Sequence, residues 1–77
     1  MEKIKIYEGK NIHEVALRNI SHFVAMGKKT QVVFNDGSSI ISTRMLKFYH
    51  DQLHLKKDFY RVHRKYLINI HSIVAIR

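Results

Sequence analysis

The stretch from Asp58 to Ile76 joins a tight basic cluster to an apolar run, and it constrains the fold more than any other part of the chain. Four basic residues fall within five positions: Arg61, His63, Arg64 and Lys65. The positions around them, Val62 and 66–76, are rich in β-branched, aromatic and aliphatic side chains, which favour strands anchored in a core. The sequence therefore predicts cationic side chains held at the end of rigid β structure. Such a tip suits a surface that neutralises phosphates while one or two side chains reach base edges.

The length and charge of the chain indicate one small domain with a polyanionic partner. Seventy-seven residues leave room for a single core of marginal stability. Fourteen Lys and Arg against six Asp and Glu give a formal net charge of +8. Nucleic acid fits this excess better than a membrane surface, because the basic residues cluster beside predicted strands and do not follow one long amphipathic helix. The alternative on charge alone is a soluble basic protein without such a partner.

The chain has no cysteine, which suits a reducing cytoplasm and excludes disulfide and thiolate chemistry. The N-terminal sequence MEKIKIYEGK alternates charged and apolar residues and lacks the apolar core of a secretory signal. No run approaches the length of a transmembrane helix. We therefore expect a cytoplasmic location without direct membrane insertion.

The first 42 residues have the period and turn chemistry of β hairpins. Ile4 and Ile6 alternate with charged residues, as in a half-buried strand, and turn residues follow. Asp36 and Gly37 form a good hairpin turn, because glycine accepts a positive φ without steric cost. The predicted elements are a turn at 8–11, a return arm at 12–17, a kink at 18–19, strands at 20–25, 31–34 and 39–42, and a loop at Gly27.

The period changes to that of a helix after Ser42. Apolar residues at 45, 46, 49 and 53 predict one helix over about 43–55, with Ser42 or Thr43 accepting a hydrogen bond from its first turn. Lys56 and Lys57 fall at its end, where cations interact favourably with the helix dipole. These two lysines are therefore not counted as a binding site.

The motif near the end of the chain resembles the LytTR DNA-binding domain of bacterial transcription regulators. The family signature has Phe, then Arg, a small apolar residue, His, a variable pair, an aromatic, and an aliphatic pair ending in Asn. The matching residues here are Phe59, Arg61, Val62, His63, Arg64, Lys65, Tyr66, Leu67, Ile68 and Asn69. Upstream, the looser matches are NISHFVAMGKKTQVVFNDG, which resembles the family's strand, loop, strand and turn, and TRMLKFYHDQL, which resembles its helix.

This resemblance implies a mainly β fold with one α-helix, an elongated sandwich-like body with DNA-contacting loops along one side. We expect one LytTR-like domain over residues 1–77. The family domain continues with a further hairpin whose loop also meets DNA, so the chain is expected to be truncated or a shortened relative. The strand expected at Ile73–Ile76 would then lack a neighbour and could pair with another copy of the chain. Family members commonly follow a receiver domain and bind paired direct repeats as two copies.

Within the motif, the resemblance and the residue types together suggest roles for four side chains. Arg64 follows the motif's His in a loop that enters the major groove in the family, and its planar fork can bond O6 and N7 of guanine. Lys65 stands where the family often has Ser, and we expect it to contact phosphate. His63 either donates a hydrogen bond to DNA or orients the loop. Arg61 either contacts phosphate or forms an ion pair with an acid such as Asp58.

Lys28 and Lys29 lie in the Gly27 loop, which matches the second DNA-inserting loop of the family. No base-reading residue is matched in this loop. We therefore expect phosphate contacts with little sequence discrimination, the alternative being a solvated turn.

The sequence predicts no enzyme, cofactor, metal or small-molecule substrate. His50 and His54 are four apart on the predicted helix, a spacing used in zinc sites, but no third ligand is fixed by spacing. The acids are scattered, and Ser38 and Ser39 lie in a turn without a companion His and Asp motif.

Two functions follow from these residues. The first is sequence-specific binding of double-stranded DNA in bacterial transcription regulation, with basic loops entering the major groove. The alternative is a protein-interaction or dimerisation module that binds DNA weakly and forms a homo-oligomer.

Overall fold

The computed structural model of the chain describes residues 2–71, which form seven strands, a short 3-10 turn and one α-helix. These are β1 (Lys3–Glu8), β2 (Asn11–Ala16), the 3-10 turn (Leu17–Asn19), β3 (Ile20–Met26), β4 (Lys29–Phe34), β5 (Ser39–Ser42), α1 (Leu46–Leu53), β6 (Phe59–His63) and β7 (Tyr66–Asn69). The predicted mainly β fold with one helix is confirmed. The segment Ile73–Ile76, where the sequence predicts an edge strand, lies outside the described residues.

The strands form two antiparallel sheets. β1 and β2 make a two-stranded hairpin, and the other five strands are ordered β5-β4-β3-β7-β6. The body is elongated, with principal extents of 35 × 24 × 23 Å. Because β7 lies between β3 and β6, the hairpin that carries the motif extends the sheet begun by the hairpin of β3 and β4.

One face of the five-stranded sheet is covered by α1 and the β1-β2 hairpin, and the core lies between them. The aromatic centre of this core is Phe23 of β3, which stacks on Tyr49 of α1 with ring centroids 5.3 Å apart. Its remaining buried apolar residues are Ile4, Ile6, Leu17, Ile20, Val32, Leu46, Leu53, Phe59 and Leu67. Burying side chains of this size contributes about 1.5 to 3 kcal/mol each, so this layer supplies most of the driving force for folding.

The helix is shorter than predicted, and neither expected cap is formed. Ser42 stays in β5, where its hydroxyl shares a buried hydrogen bond of 2.6 Å with the Tyr49 hydroxyl. The Thr43 hydroxyl instead accepts a hydrogen bond from the Gly9 N–H, at 3.2 Å. The helix therefore begins at Leu46 after Met45, which makes no side-chain cap, and it ends at Leu53. The two hydroxyls that were predicted to cap the helix therefore hydrogen-bond to residues of other elements.

The turn at Asp36 and Gly37 forms as predicted. Gly37 has φ of +92°, and the Phe34 N–H donates to the Ser38 carbonyl at 2.8 Å. The Asp36 carboxylate accepts hydrogen bonds from the Ser38 hydroxyl and N–H, which lowers the pKa of that carboxyl below its ordinary value. These bonds hold β4 and β5 in register. The turn itself lies away from the motif.

No helix in the part of the chain described, residues 2–71, is long and apolar enough to cross a membrane.

Candidate nucleic-acid interface

The motif forms the β6-β7 hairpin, whose two-residue turn is Arg64 and Lys65. His63 and Tyr66 pair across this turn, and a β-bulge lies between Arg61 and His63. Neither turn residue has positive φ, so the turn lacks the backbone twist that usually matches two strands. The side chain of Arg61 stabilises this turn. Its Nε donates to the His63 carbonyl at 3.0 Å and its Nη2 to the Arg64 carbonyl at 2.6 Å.

Arg61 therefore stabilises the conformation of the turn. The ion pair that was expected between Arg61 and Asp58 is not formed. Asp58 pairs with His71, with 2.9 Å between Oδ1 and Nε2. A guanidinium has five N–H donors, and the two carbonyl bonds of Arg61 leave others for a phosphate. The side chain is exposed, so phosphate contact by Arg61 stays a prediction.

His63 forms a hydrogen bond with the backbone of the turn, and its role toward DNA stays a prediction. Its Nδ1 accepts a hydrogen bond from the Lys65 N–H, at 3.1 Å. This bond assigns the proton of the neutral ring to Nε2, which remains as a donor. The bulge at Val62 shifts the alternation of β6, so His63 lies on the same face as Tyr66, with ring centroids 5.7 Å apart.

The β3-β4 turn carries the second predicted cluster. Gly27 has φ of +64° and Lys28 follows it, which suits the first and second positions of a type II′ turn. Lys29 begins β4 opposite Met26. Both lysines are exposed.

The two turns lie side by side at one end of the five-stranded sheet. Val24 of β3 pairs with Tyr66 of β7, and the Ala25 N–H donates to the Lys65 carbonyl at 2.8 Å. Because β3 ends where β7 begins, the structure brings Lys28 and Lys29 next to Arg64 and Lys65. All six sequence-predicted site residues therefore share one end of the molecule.

Two further connections reach the same end. The Thr43 N–H, just after β5, donates to the Tyr7 carbonyl at 2.9 Å, which places the β1-β2 turn of Gly9 and Lys10 beside the start of α1. We call this region the basic end. Its cationic residues are Lys10, Lys28, Lys29, Arg44, Lys47, Arg61, Arg64 and Lys65.

Three of these cations were missed by sequence reasoning. Lys10 lies in a turn that the sequence predicts, and Arg44 and Lys47 lie where it predicts the helix to start. Local patterns gave no sign that the β1-β2 hairpin packs against β5, so they could not place these residues beside the motif. The repetition of Gly-Lys in two turns, at 9–10 and 27–28, was the available signal.

Three of the six acids lie at the opposite end of the molecule, whereas Glu8 precedes the β1-β2 turn and Asp51 lines a shallow groove with Arg44 and Lys47. Glu2 precedes β1, Asp36 lies in the β4-β5 turn and Asp58 precedes β6, all at strand ends remote from the Arg64-Lys65 turn. Ion pairs join Lys56 to Glu2 and His71 to Asp58 there. Lys56 thus has a structural partner, in agreement with its exclusion from the predicted site.

The histidine pair on the helix has no third partner in the described residues. The rings of His50 and His54 lie 5.6 Å apart, and His54 Nδ1 is 3.1 Å from the Asp51 carbonyl. Within residues 2–71, no group of three or more His, Cys, Asp or Glu side chains is placed to hold a metal ion.

Comparison with known proteins gave one match. The family model of the LytTr DNA-binding domain matches residues 10–77. No curated protein and no solved structure matched the chain.

Proposed function

We propose, from the premise that this chain belongs to the LytTr DNA-binding domain family, that it binds double-stranded DNA sequence-specifically through its basic end. The family is one of DNA-binding domains, so DNA binding in general follows from membership. The finer proposal is that the Arg64-Lys65 turn and the Lys28-Lys29 turn enter the major groove. We further propose a non-enzymatic, cytoplasmic role in bacterial transcription regulation, of the kind that serves response regulators.

The observation that carries the proposal is the juxtaposition of the two turns. They come from segments more than thirty residues apart in sequence and meet through the pairing of β3 with β7. The cations of both turns are exposed, and none of the ion pairs formed within residues 2–71 involves them. Free cations grouped on rigid hairpins are what a phosphate backbone requires, because each phosphate contact releases condensed counterions.

Arg64 is the residue that we propose for base recognition. Its turn is held by Arg61 and His63, so the side chain starts from a fixed backbone position. A guanidinium at such a position can bond both acceptors of a guanine edge in the major groove. Arg61, Lys65, Lys28 and Lys29 are assigned to phosphates, and His63 to orientation of the turn with Nε2 as a further donor.

The salt dependence of DNA binding tests this proposal most directly. We expect the chain to select a duplex sequence from a random pool, with an affinity that falls steeply as salt rises. Replacing Lys28 and Lys29 together by Gln should weaken binding to every sequence and lower the salt slope by about one unit per lost phosphate contact. The selected site should stay preferred over a scrambled duplex.

Lys57→Gln is the matched control, because Lys57 is exposed at the opposite end, next to Asp58. It removes one positive charge, against two in the double variant, and should leave the salt slope nearly unchanged. Equal slopes for wild type, the Lys28 and Lys29 double variant and the control would contradict the placement of DNA at the basic end.

The alternative function, a protein-interaction or dimerisation module, has one observation in its favour. The uncovered face of the five-stranded sheet carries apolar side chains, with Tyr60 63%, Met26 50% and Tyr66 41% exposed. Exposed apolar patches can mark protein contacts. The two functions differ in electrostatics, because DNA binding weakens with salt whereas association through apolar surface does not.

A further inference from the structure

Arg44, in the connection between β5 and α1, is fixed in place by four contacts. Its N–H donates to the Ser42 hydroxyl at 3.1 Å, and its carbonyl accepts from the Thr30 hydroxyl at 2.8 Å. Its guanidinium carbon lies 4.7 Å from the ring centroid of Tyr7 and 4.8 Å from that of Phe48. Backbone and side chain are thus both held before any ligand binds.

These contacts leave the donors of the guanidinium free. Ring faces attract a cation without accepting its N–H groups in the guanidinium plane. Within residues 2–71, no acid lies in an ion pair with Arg44 and no described residue accepts a hydrogen bond from its guanidinium. The side chain is exposed, so solvent or a ligand must satisfy those donors.

The position of Arg44 continues the row of basic turns. Ser42 pairs with Thr30, which follows Lys29, so Arg44 lies beside the Lys28-Lys29 turn on the side away from Arg64. From β5 to β7 the row crosses three strand spacings, about 14 Å in all, at about 4.8 Å for each. That length corresponds to roughly four base pairs of a duplex, at about 3.4 Å for each phosphate along one strand.

We infer that the β5-α1 connection is a third DNA-contacting segment, in which Arg44 binds a backbone phosphate next to those held by Lys28 and Lys29. This inference rests on the proposed function and adds a contact that the family motif does not contain. Lys10, beside Thr43 through the Gly9 N–H, and the exposed Lys47 flank Arg44 and extend the positive potential. Asp51 lines the same shallow groove as Arg44 and Lys47, but within residues 2–71 it forms no ion pair with either of them.

A phosphate fits this arrangement better than a base edge. The rings fix the guanidinium against the body of the domain, with its position set by β5 and not by a protruding turn. Base edges require a side chain that extends into a groove, whereas phosphates lie on the outside of the duplex. Arg44 is therefore expected to add affinity on every sequence without discriminating among them.

The test compares Arg44→Gln, Arg44→Lys and the control Lys57→Gln in the whole 77-residue chain, by titration with a selected and a scrambled duplex over a range of salt. Arg44→Gln should lower affinity several-fold on both duplexes and reduce the salt slope by about one unit. Arg44→Lys keeps the charge and should retain the slope. A merely structural role would change the melting temperature in both Arg44 variants but not the slope.

The outcomes separate this inference from the proposed function. If Arg44→Gln binds with wild-type affinity and slope while the Lys28 and Lys29 double variant is weakened, the third segment is wrong and the two-turn interface stands. If no variant at the basic end changes binding, both fail together. A slope lowered by Arg44→Gln in a chain that melts as wild type, and restored by Arg44→Lys, supports the inference.

Discussion

At the residue scale, the motif divides into side chains that build the tip and side chains that project from it. Arg61 and His63 hydrogen-bond the turn, whereas no described residue accepts a hydrogen bond from the Arg64 side chain. The sequence could predict that these residues cluster, because they are adjacent. It could not predict which of them bond the turn and which project from it, since that depends on a bulge at Val62 that alternation alone does not reveal.

We predict that Arg64→Ala removes base discrimination as well as charge. Losing a bidentate contact to guanine should cost about 1 to 3 kcal/mol against the preferred site. Affinities for the selected and scrambled duplexes measure the effect, with circular dichroism to check the fold. Arg64→Lys is the matched variant, because it keeps the charge but cannot make the planar paired contact. Equal weakening of both duplexes by Arg64→Ala would reassign Arg64 to phosphate.

At the element scale, the hydroxyl of one tyrosine links α1 to both β5 and β1 by hydrogen bonds. Tyr49 of α1 is fully buried, and its hydroxyl bonds both Ser42 of β5 and the N–H of Tyr7 in β1, at 2.6 and 3.1 Å. Strand positions were predictable from alternation and turns, because both are local. The start of the helix was not, because Ser42 and Thr43 bond to partners far along the chain.

We predict that Tyr49→Phe destabilises the fold while leaving its shape intact. The Ser42 hydroxyl would lose a buried partner and the Tyr7 N–H a half-buried one, at a cost of about 1 to 3 kcal/mol. Thermal or urea unfolding measures the difference. Tyr60→Phe is the control, since that hydroxyl is exposed and its loss should change the free energy of unfolding little. A Tyr49→Phe variant as stable as wild type would mean that water replaces the hydroxyl.

At the scale of the whole molecule, charge is distributed unevenly along the long axis. Eight cations occupy the basic end with Glu8 and Asp51 near them, while the other end carries Glu2, Asp36 and Asp58 together with cations such as Lys56 and Lys57. A net charge of +8 arranged in this way should orient the molecule before contact and speed its association with DNA at low salt. Composition predicted the partner class, but only the strand order could show that the charge is on one side.

Self-association is a separate prediction at this scale. The sequence Ile73–Ile76, outside the described residues, predicts a strand able to pair with a second copy. We expect concentration-dependent oligomers in analytical ultracentrifugation and fewer of them with Val74→Lys. Leu55→Lys adds the same charge at a position that is 85% exposed and serves as the control. A strictly monomeric chain at high concentration would rule out this route.

The shortness of the turns at the basic end has a thermodynamic consequence. The Gly9-Lys10, Gly27-Lys28 and Arg64-Lys65 turns are each two residues long and closed by paired strands, so little backbone freedom remains to be lost on binding. Association with a duplex should therefore resemble the docking of rigid bodies, without the heat-capacity change of a segment that folds on its target. Most of the entropy change would then come from ions and water leaving the two surfaces, and the protein chain would contribute little to it.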